Sequence, residues 1–335
     1  MNSTPRPLVT MLLICFNQEQ SIDAALDSVL AQDYPNLEIV ISDDASTDCT
    51  YARICAKLQN YAGPHTIHLL RNPSNLGIGG NLDQAVRQSA GELIFMAHGD
   101  DISLPQRVST VVTHWLDNDQ RSDLIAAYLN DIDSANHFHG VIHVSDLSKY
   151  TDLDNWTRQG PPHVIGAAQA WTRRLFDRFG GIPKGIVGED MVMAFRAIST
   201  GSAITVPVAL VNYRRGGLTS QRKMLNADAV IHGLTRKLKS SQIEMQCLLR
   251  EAQTAGANPI TLAFINQKLS KEVFIEKMFS NTDFFSKLGL CFQFGDQKAA
   301  FRLRILVYAA APWLLTPFFY FKRQLHNFKD KDINS

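Results

Sequence analysis

Two adjacent carboxylates, Asp100 and Asp101, end an apolar run in the stretch GELIFMAHGDDISLP. Neighbouring negative charges at the end of a predicted strand repel each other unless something neutralises them. Proteins commonly hold Mg²⁺ or Mn²⁺ with one or two carboxylates together with the phosphates of a substrate. The pair therefore favours a divalent-cation site for a phosphate-bearing ligand. The structural alternative is that one Asp caps the helix predicted to begin near Leu104.

A second acidic pair, Glu189 and Asp190, opens a pattern in which apolar residues recur at helical spacing as far as Ile198. Carboxylates in the first turn of a helix are favoured by the helix dipole, so capping is the structural interpretation of this pair.

A third polar cluster follows the first two predicted strands. Asn17 comes directly after the run Val9–Phe16, and Asp43 and Asp44 come directly after Leu37–Ser42. These side chains follow predicted strand ends, beyond which the ligands of parallel sheets bind. The alternative is a turn, because the stretch DDASTD is rich in turn-forming and capping residues.

Strands and helices alternate through the first half of the chain, which predicts an α/β protein with a mostly parallel, Rossmann-like sheet flanked by helices. The predicted strands are Val9–Phe16, Leu37–Ser42, Thr66–Leu70, Leu93–Ala97 and Leu124–Leu129, with helical stretches that include Gly80–Ser89 and Leu104–Trp115. In such sheets ligands bind beyond the carboxyl ends of the strands. Five polar residues each follow an apolar run and are therefore expected to converge on one crevice: Asn17, Asp43, Asp44, Asp100 and Asp101.

Composition limits the class of protein. The 335 residues suit roughly two domains, and 33 basic against 32 acidic residues give a net charge of +1, which argues against nucleic acid as a partner. Five cysteines without a C-x-x-C pair favour a reducing, cytoplasmic compartment. The apolar stretch Val9–Phe16 is too short for a signal segment or a membrane span and is interpreted as a buried strand.

The C-terminal third has a different character. Residues 226–280 have helix-forming sequence without strand alternation, and Ile305–Phe321 is almost wholly apolar but interrupted by Pro312 and Pro317. Basic residues flank this run, and aromatic side chains suited to a membrane interface lie within it. We predict a helix lying on the inner face of the cell membrane. The alternative is a buried core helix or a dimer helix, and a homo-oligomer is compatible with either interpretation.

Three ordered segments resemble the inverting glycosyltransferases of family 2, which have the nucleotide-sugar-binding GT-A fold. They are VTMLLICFNQEQSIDAALDSVLAQDYPNLEIVISDDASTDCT, GELIFMAHGDDISLP and HVIGAAQAWTRRLFDRFGGIPKGIVGEDMVMAFRA. The resemblance covers residues 8–220. It implies a glycosyltransferase domain over residues 1–220. Residues 221–335 fall outside the resemblance, and their sequence pattern predicts a helical region that we expect to associate with the membrane.

Carried over position by position, the resemblance implies a donor side and a metal ligand. The donor-side residues are Phe16, Asn17, Asp43, Asp44, Asn75, Gly77, His98, Asp101, Arg214 and Arg215. Asp100 matches the metal-binding last Asp of the family's D-x-D motif, and Mn²⁺ or Mg²⁺ is the implied cofactor. The first Asp of that motif is replaced here by His98, which departs from the family pattern. Arg214 and Arg215 would stabilise the leaving diphosphate.

The acceptor side follows from the same resemblance. Asp190 matches the general base, Glu189 is expected to orient the acceptor, and Trp171 is expected to stack on an acceptor sugar. The implied activity is inverting transfer from a nucleotide sugar, with UDP favoured, to a glycan or polyprenyl-linked saccharide in cell-envelope polysaccharide synthesis. Two alternatives are a sugar nucleotidyltransferase, for which the Gly-rich basic N-terminal loop is missing, and a non-catalytic sugar-binding protein on the same fold.

Overall fold

The computed structural model describes residues 6–214 and 226–320. Within these residues there are nine strands: β1 (Val9–Cys15), β2 (Leu37–Asp43), β3 (Thr66–Arg71), β4 (Leu93–His98), β5 (Ile102–Ser103), β6 (Leu124–Ile132), β7 (Phe138–Ile142), β8 (Gln169–Thr172) and β9 (Ala203–Arg214). The first seven helices of the described chain are α1 (Ile22–Leu30), α2 (Thr50–Leu58), α3 (Gly77–Arg87), α4 (Arg107–Asp117), α5 (Leu153–Gln159), α6 (Arg173–Arg178) and α7 (Glu189–Ser199). They are followed by α8 (Ala227–Arg236), α9 (Leu238–Thr254), α10 (Pro259–Ser280), α11 (Phe284–Gln293) and α12 (Ala299–Ala310).

The first four strands of the sheet order are parallel. That order is β3-β2-β1-β4-β8-β6-β9-β5, with β7 added beside β6. Every residue of β1 and β2 is buried, as expected for strands covered on both faces, which appear in sequence as nearly continuous apolar runs. The predicted α/β architecture is confirmed.

The second half of the sheet is mixed. β8 runs antiparallel to both β4 and β6, β9 runs parallel to β6, and the short β5 pairs antiparallel with the end of β9. Across the described chain, four strand pairings are parallel and four are antiparallel. This arrangement brings the end of β9 beside the turn that follows β4.

The strand register explains why polar residues gather at one edge. Cys15 pairs with Asp43 across β1 and β2, and Ile14 pairs with His98 across β1 and β4. Three parallel strands therefore end at the same level, and the residues that follow them share one edge of the sheet.

The chain divides into two compact units. The first unit contains the sheet and consists of residues up to 214 together with Glu251–Thr261; the second contains residues 226–250 and 262–320. The second unit has its own apolar core, made by Phe274, Met278, Leu290, Phe294, Ile305 and Leu306. The domain boundary predicted near residue 220 stays a prediction.

The C-terminal apolar run differs from the expected surface helix. Ile305 and Leu306 belong to the core of the second unit, so the first part of the run is a packing element. The later residues Trp313 and Phe318 are 70% and 59% exposed. Among the described residues, no single helix is long and apolar enough to cross a bilayer, although Ala299–Ala310 and Pro312–Tyr320 reach that length together with a bend of 112°.

The bend between α12 and the following segment has a visible cause. Buried Lys287 donates from Nζ to the backbone O of Ala309 at 2.6 Å, in the last turn of α12. Cations near a helix C-terminus satisfy its free carbonyl groups and oppose the helix dipole. Pro312 then starts a short 3-10 turn, Pro312–Leu315, instead of continuing the helix.

Candidate active site

The first acidic pair lies in the tight turn that follows β4. His98 ends that strand, and the backbone N of Asp101 donates to the backbone O of His98 at 3.2 Å, which closes the turn. Asp101 is buried, and its Oδ1 accepts a hydrogen bond from the backbone N of Arg214 at 2.9 Å. Asp101 therefore fastens the turn to the end of β9, whereas the side chain of Asp100 is half-buried and takes no part in that bond.

Arg214 links the turn after β4 to the loop after β6 through hydrogen bonds. Its Nε donates to the backbone O of Asp100 at 3.0 Å, and its Nη1 donates to the backbone O of Asp133 at 3.0 Å and of Ser134 at 3.2 Å. The guanidinium thus already holds three carbonyl groups at the edge of the sheet. This placement favours a supporting role for Arg214 over the diphosphate contact expected from the sequence. Arg215 lies outside the described residues.

The second acidic pair begins α7, as the helical pattern predicts. Glu189 is the first residue of that helix and is buried, whereas Asp190 is half-buried. Oδ1 of Asp190 accepts a hydrogen bond from the backbone N of Met191 at 2.8 Å, so one of its oxygens satisfies a free amide of the first helical turn. The capping interpretation therefore holds for one oxygen of Asp190.

His98 joins the two acidic pairs. Its Nδ1 lies 3.7 Å from Oδ2 of Asp101, and its Nε2 lies 3.7 Å from Oε1 of Glu189. Burial of the ring lowers the pKa of His98, but the contact with Asp101 and the negative charge of Glu189 outweigh it and raise the pKa to about 9. The imidazole is therefore cationic at neutral pH and lies between carboxylates of the β4 turn and of α7.

Gly166 makes the close approach of these groups possible. It lies in the 3-10 turn Gly166–Ala168 that leads into β8, and a Cβ at this position would stand 2.7 Å from Oε1 of Glu189 and 3.4 Å from Cβ of Asp190. The same Cβ would be 3.6 Å from Cε1 of His98. Any larger residue would displace the buried carboxylate of Glu189, so Gly166 is a site residue that the sequence analysis missed.

Burial raises the pKa of the half-buried member of each acidic pair, Asp100 and Asp190. Burial, followed by the charge of Asp101, raises the pKa of Asp100, with the charge of His98 acting in the opposite sense. Burial also raises the pKa of Asp190, opposed by the Met191 amide and by the charge of His98. A carboxyl with a raised pKa is a better proton acceptor once it is ionised, which suits general-base chemistry.

The residues expected to bind the nucleotide form a loop cluster at the ends of β1 and β2. Asp44 is buried, and its carboxylate accepts hydrogen bonds from Asn72 Nδ2 at 2.8 Å and from the backbone N of Leu76 and of Gly77 at 2.8 and 2.9 Å. Asp44 therefore fixes the loop before α3. A carboxylate has about four acceptor positions, which leaves one for a ligand.

Asp43 and Asn17 complete this cluster. Asp43 is buried, and its Oδ1 accepts from the backbone N of Ser46 at 3.0 Å and lies 3.4 Å from Nε of Arg71. Asn17 has a positive φ of 50°, and its Oδ1 accepts from the backbone N of Thr47 at 2.8 Å. The loops after β1 and β2 are thus tied together at the predicted nucleotide side.

The remaining donor-side positions are more open. Phe16 directly follows β1 and is 42% exposed. Asn75 is exposed, and its Oδ1 accepts from the backbone N of Gly77 at 3.1 Å. Gly77 has a φ of +74°, which explains the need for glycine at the start of α3.

Trp171 requires a correction. The indole is 0% exposed and stacks on Phe176 with ring centroids 6.1 Å apart and an angle of 7° between the planes. A side chain without exposed surface cannot stack on a sugar, so the expected contact with the acceptor is wrong. Trp171 is a core residue of β8 between β4 and β6.

The β4 turn fits one divalent cation if a ligand supplies the other oxygens. Among the described residues, no group of three or more His, Cys, Asp or Glu side chains is arranged to hold a metal ion. Mg²⁺ and Mn²⁺ need fewer protein ligands, since one or two carboxylates and substrate phosphates suffice. Asp100 is the half-buried carboxylate available for this, and a bound cation would offset the repulsion from Asp101 that raises its pKa.

Comparison with known proteins identifies the family. The sequence model of Glycosyl transferase family 2 matches residues 10–180, which is just over half of the chain. The chain is a family 2 glycosyltransferase. The matched segment includes the β4 turn and ends before the acidic pair of α7.

Curated relatives of this glycosyltransferase match it over a shorter part. Putative glycosyltransferase EpsE of Bacillus subtilis is 33% identical over 114 residues, which is 33% of this chain and 39% of that protein. The Escherichia coli UDP-Glc:alpha-D-GlcNAc-diphosphoundecaprenol beta-1,3-glucosyltransferase WfgD is 29% identical over 111 residues, 33% of this chain and 42% of its own length. The chain thus spans about two fifths of the length of these relatives.

Solved structures agree with the glycosyltransferase fold. TarS 1-349 of Staphylococcus aureus in complex with UDP has a TM-score of 0.54 at 17% identity, covering 94% of this chain and 87% of that one. The mannosyltransferase PcManGT of Pyrobaculum calidifontis, in complex with GDP-Man and Mn²⁺, has a TM-score of 0.55 at 18% identity, covering 92% and 87%. At this level of identity the likeness concerns the fold.

The expected correspondence of His98 with the first aspartate of the D-x-D motif can be tested by substitution. His98→Asp restores the family pattern but places a third carboxylate close to Asp101 and Glu189. We expect it to lower the free energy of unfolding by about 2–3 kcal/mol, because like charges then meet at a largely buried position. Urea unfolding at pH 7 in EDTA measures this loss.

His98→Asn is the matched control, since it removes the positive charge without adding a negative one. We expect a smaller loss of about 1 kcal/mol in the free energy of unfolding.

The sign of the pH dependence of stability follows from the raised pKa of His98. The stabilisation by His98 is complete below its unfolded pKa of 6.5 and disappears as the pH rises through about 9. Equal stability of His98→Asp and the wild type at pH 7 would contradict the arrangement.

Proposed function

We propose that this enzyme transfers a sugar, with inversion at the anomeric carbon, from a nucleoside diphosphate sugar to an acceptor hydroxyl. The observation that carries the proposal is the contact of His98 with both Asp101 and Glu189, which places the β4 turn beside the start of α7. In this proposal, His98 lies between the turn that carries the metal-side carboxylate and the helix start that carries the base-side carboxylate.

Single-displacement inversion needs one base, and the proposal assigns it to Asp190. The acceptor oxygen forms a bond to the anomeric carbon while the bond from that carbon to the diphosphate oxygen breaks. The hydroxyl proton passes to the Asp190 carboxylate, and the electron pair leaves with the nucleoside diphosphate. Glu189 is less suited, because it is buried against His98 and Gly166, whereas Asp190 is half-buried.

On the donor side, Asp100 would hold the divalent cation, which neutralises the developing negative charge on the leaving diphosphate when bound. Asp101 and Arg214 keep the Asp100 turn in place through the contacts described above. The Asp43–Asp44 cluster, with Asn17 and Phe16, would receive the nucleoside. UDP is the favoured nucleotide, in line with the UDP-glucose named for WfgD and the UDP bound to TarS.

The proposed acceptor is a glycan or a polyprenyl-linked saccharide in cell-envelope polysaccharide assembly. WfgD is named for transfer to GlcNAc-diphosphoundecaprenol. A putative colanic acid biosynthesis glycosyl transferase of Escherichia coli, WcaA, is 32% identical over 111 residues. A lipid-linked acceptor would require the enzyme to work at a membrane, and five free cysteines fit the reducing cytoplasmic side.

The segment after α12 is the proposed membrane contact. It exposes four large side chains, Trp313, Leu314, Phe318 and Tyr320. Basic residues lie close in the sequence on both sides, at 302 and 304 before it and at 322 and 323 after it. Exposed aromatic residues with neighbouring cations suit the interface of an anionic bilayer.

We expect the full chain to float with vesicles of phosphatidylglycerol and phosphatidylcholine. The double variant Trp313→Ser, Phe318→Ser should bind them at least about tenfold more weakly, because it loses the transfer of two aromatic side chains out of water. Point variants are preferable to a deletion, since Ile305 and Leu306 belong to the core of the second unit.

Phe138→Ser is the control for the vesicle experiment, as Phe138 is an aromatic residue 61% exposed on β7 of the first unit. It should leave flotation unchanged. The membrane proposal fails if the wild type does not float with these vesicles, or if the double variant floats with them to the same extent as the wild type.

A donor panel tests the proposed activity. UDP-, GDP-, TDP- and CMP-sugars are incubated with the enzyme and Mn²⁺, and release of nucleotide is measured together with the shift in melting temperature. A ligand that binds only the native state raises that temperature. We expect a UDP-sugar to give the largest shift and to release UDP. Pyrophosphate release from a nucleoside triphosphate and a sugar phosphate would instead indicate a nucleotidyltransferase. No release of nucleotide with any donor would indicate a binding protein.

A further inference from the structure

A buried hydrogen-bonded link leads to the backbone of Asp190. Gln169, the first residue of β8, is 1% exposed, and its Nε2 donates to the backbone O of Asp190 at 3.1 Å. The backbone O of Gln169 in turn accepts from Nη2 of Arg107 at 3.2 Å. The link therefore runs from the start of α4, through β8, to the first turn of α7.

Arg107 is an unusual starting point for such a link because it is a buried cation. It is 1% exposed, its Nη1 donates to Oγ of Ser103 at 2.9 Å, and its guanidinium lies 5.8 Å from the ring centroid of Phe95. Burial lowers its pKa to about 9, although the charge of Asp101 acts in the opposite sense. Within residues 6–214 and 226–320, no carboxylate forms an ion pair with it inside 4 Å.

A buried charge without a close partner costs free energy, so the fold loses stability by keeping Arg107 there. Arg107 compensates by fixing the relative positions of two segments through its hydrogen bonds. Its planar fork holds Ser103, two residues beyond Asp101, and Gln169 at the same time. The guanidinium thereby sets the distance between the β4 turn and the strand that carries Gln169.

We propose that Gln169, held by Arg107, is a positioning residue for Asp190. This inference rests on the proposed function, because it takes Asp190 as the base. The partner of the Gln169 amide is a carbonyl oxygen, so the nitrogen must face Asp190, and a donor is required at this position. Helix ends fray easily, and an added donor on the first turn of α7 restrains the residue that must meet the acceptor hydroxyl. A displacement of about 1 Å can cost about 10² in rate.

The test is a double-mutant cycle that combines Gln169→Met with Asp190→Asn. Gln169→Met nearly keeps the volume of the side chain and removes its hydrogen-bond donor. Turnover is followed as UDP released from UDP-glucose with Mn²⁺, and binding of UDP with Mn²⁺ is measured by calorimetry. We expect Gln169→Met to lower kcat about tenfold with UDP affinity unchanged, because Asp190 is then positioned less well for the acceptor hydroxyl. In the Asp190→Asn background the same substitution should cost nothing further.

Amide hydrogen exchange tests the positioning role of Gln169 without a substrate. Gln169→Met should speed amide exchange in residues 191–194 of α7 by about tenfold. Gln32→Met is the matched control, since Gln32 is also a buried glutamine and donates to the backbone O of Ser28 and of Leu104. It should leave both the exchange of α7 and the coupling to Asp190 unchanged.

If Gln169→Met does not fold, Arg107→Lys replaces it, because lysine keeps the buried charge but lacks the fork; the same coupling is expected. An equal fractional loss of kcat in the wild-type and Asp190→Asn backgrounds would overturn the inference, as would unchanged exchange in α7. An Asp190→Asn enzyme with full activity would instead refute the proposed base, so the two failures are distinguishable.

Discussion

Asp190→Asn is expected to lower kcat by about 10²–10⁴, the usual contribution of a positioned general base. Asparagine keeps the size of the side chain and an oxygen for the amide of Met191, but it cannot accept the proton of the acceptor hydroxyl. Affinity for UDP with Mn²⁺ should stay near the wild-type value. Turnover under donor saturation, with calorimetry for UDP binding, measures both quantities.

The pH dependence of the same variant gives a second readout. Burial raises the pKa of Asp190, so the base becomes protonated, and kcat falls, at a pH above the usual carboxyl range. We expect this acidic limb in the wild type and its absence in Asp190→Asn.

Asp154→Asn is the matched control for the base, because Asp154 is an exposed acid in the first turn of α5. Its activity should equal that of the wild type. If Asp190→Asn turns over at the wild-type rate while chemistry limits the rate, the proton leaves by another route, and Glu189 becomes the first alternative.

Asp100→Asn is expected to weaken Mn²⁺-dependent binding of UDP by about 100-fold or more, because it removes the protein carboxylate proposed to bind the cation. Metal-independent binding of the nucleoside should change little, since the Asp43–Asp44 cluster belongs to other loops. Calorimetry with UDP in Mn²⁺ and in EDTA separates the two contributions.

Asp119→Asn serves as the control for the metal experiment, since Asp119 is a surface carboxylate paired with Arg121. Asp101→Asn should lower the melting temperature more than Asp100→Asn does, because it removes a buried negative charge 3.7 Å from Nδ1 of the cationic His98. Unchanged Mn²⁺-dependent affinity in Asp100→Asn would remove Asp100 from the metal site.

The first half of the fold could be predicted from sequence because its strands are buried on both faces. The runs VTMLLIC and LEIVISD are long, apolar and rich in β-branched residues, and they became β1 and β2. β5 and β8 could not be predicted in this way, because they contain two and four residues and take their positions from pairing with β9, β4 and β6. The antiparallel pairings of the sheet could therefore be identified only from the structure.

The acidic residues of the site had visible sequence signals, since each follows an apolar run or opens a helical pattern. Gly166, Gln169 and Arg107 had none, because their importance depends on contacts between residues far apart in the chain. Trp171 was misassigned for the related reason that composition does not distinguish a sugar-stacking indole from a core indole. Only its complete burial decides the matter.

The configuration of the product tests the central proposal most directly. UDP-glucose carries an α-linked sugar, so a single displacement with Asp190 as base must give a β-linked product. Proton NMR of the newly formed glycoside, whose anomeric configuration is stable in neutral water, reads this configuration from the coupling between H1 and H2. We predict the large coupling of a β-glucoside for the wild-type enzyme; the small coupling of an α-linked product would contradict inversion and the one-base mechanism built on Asp190.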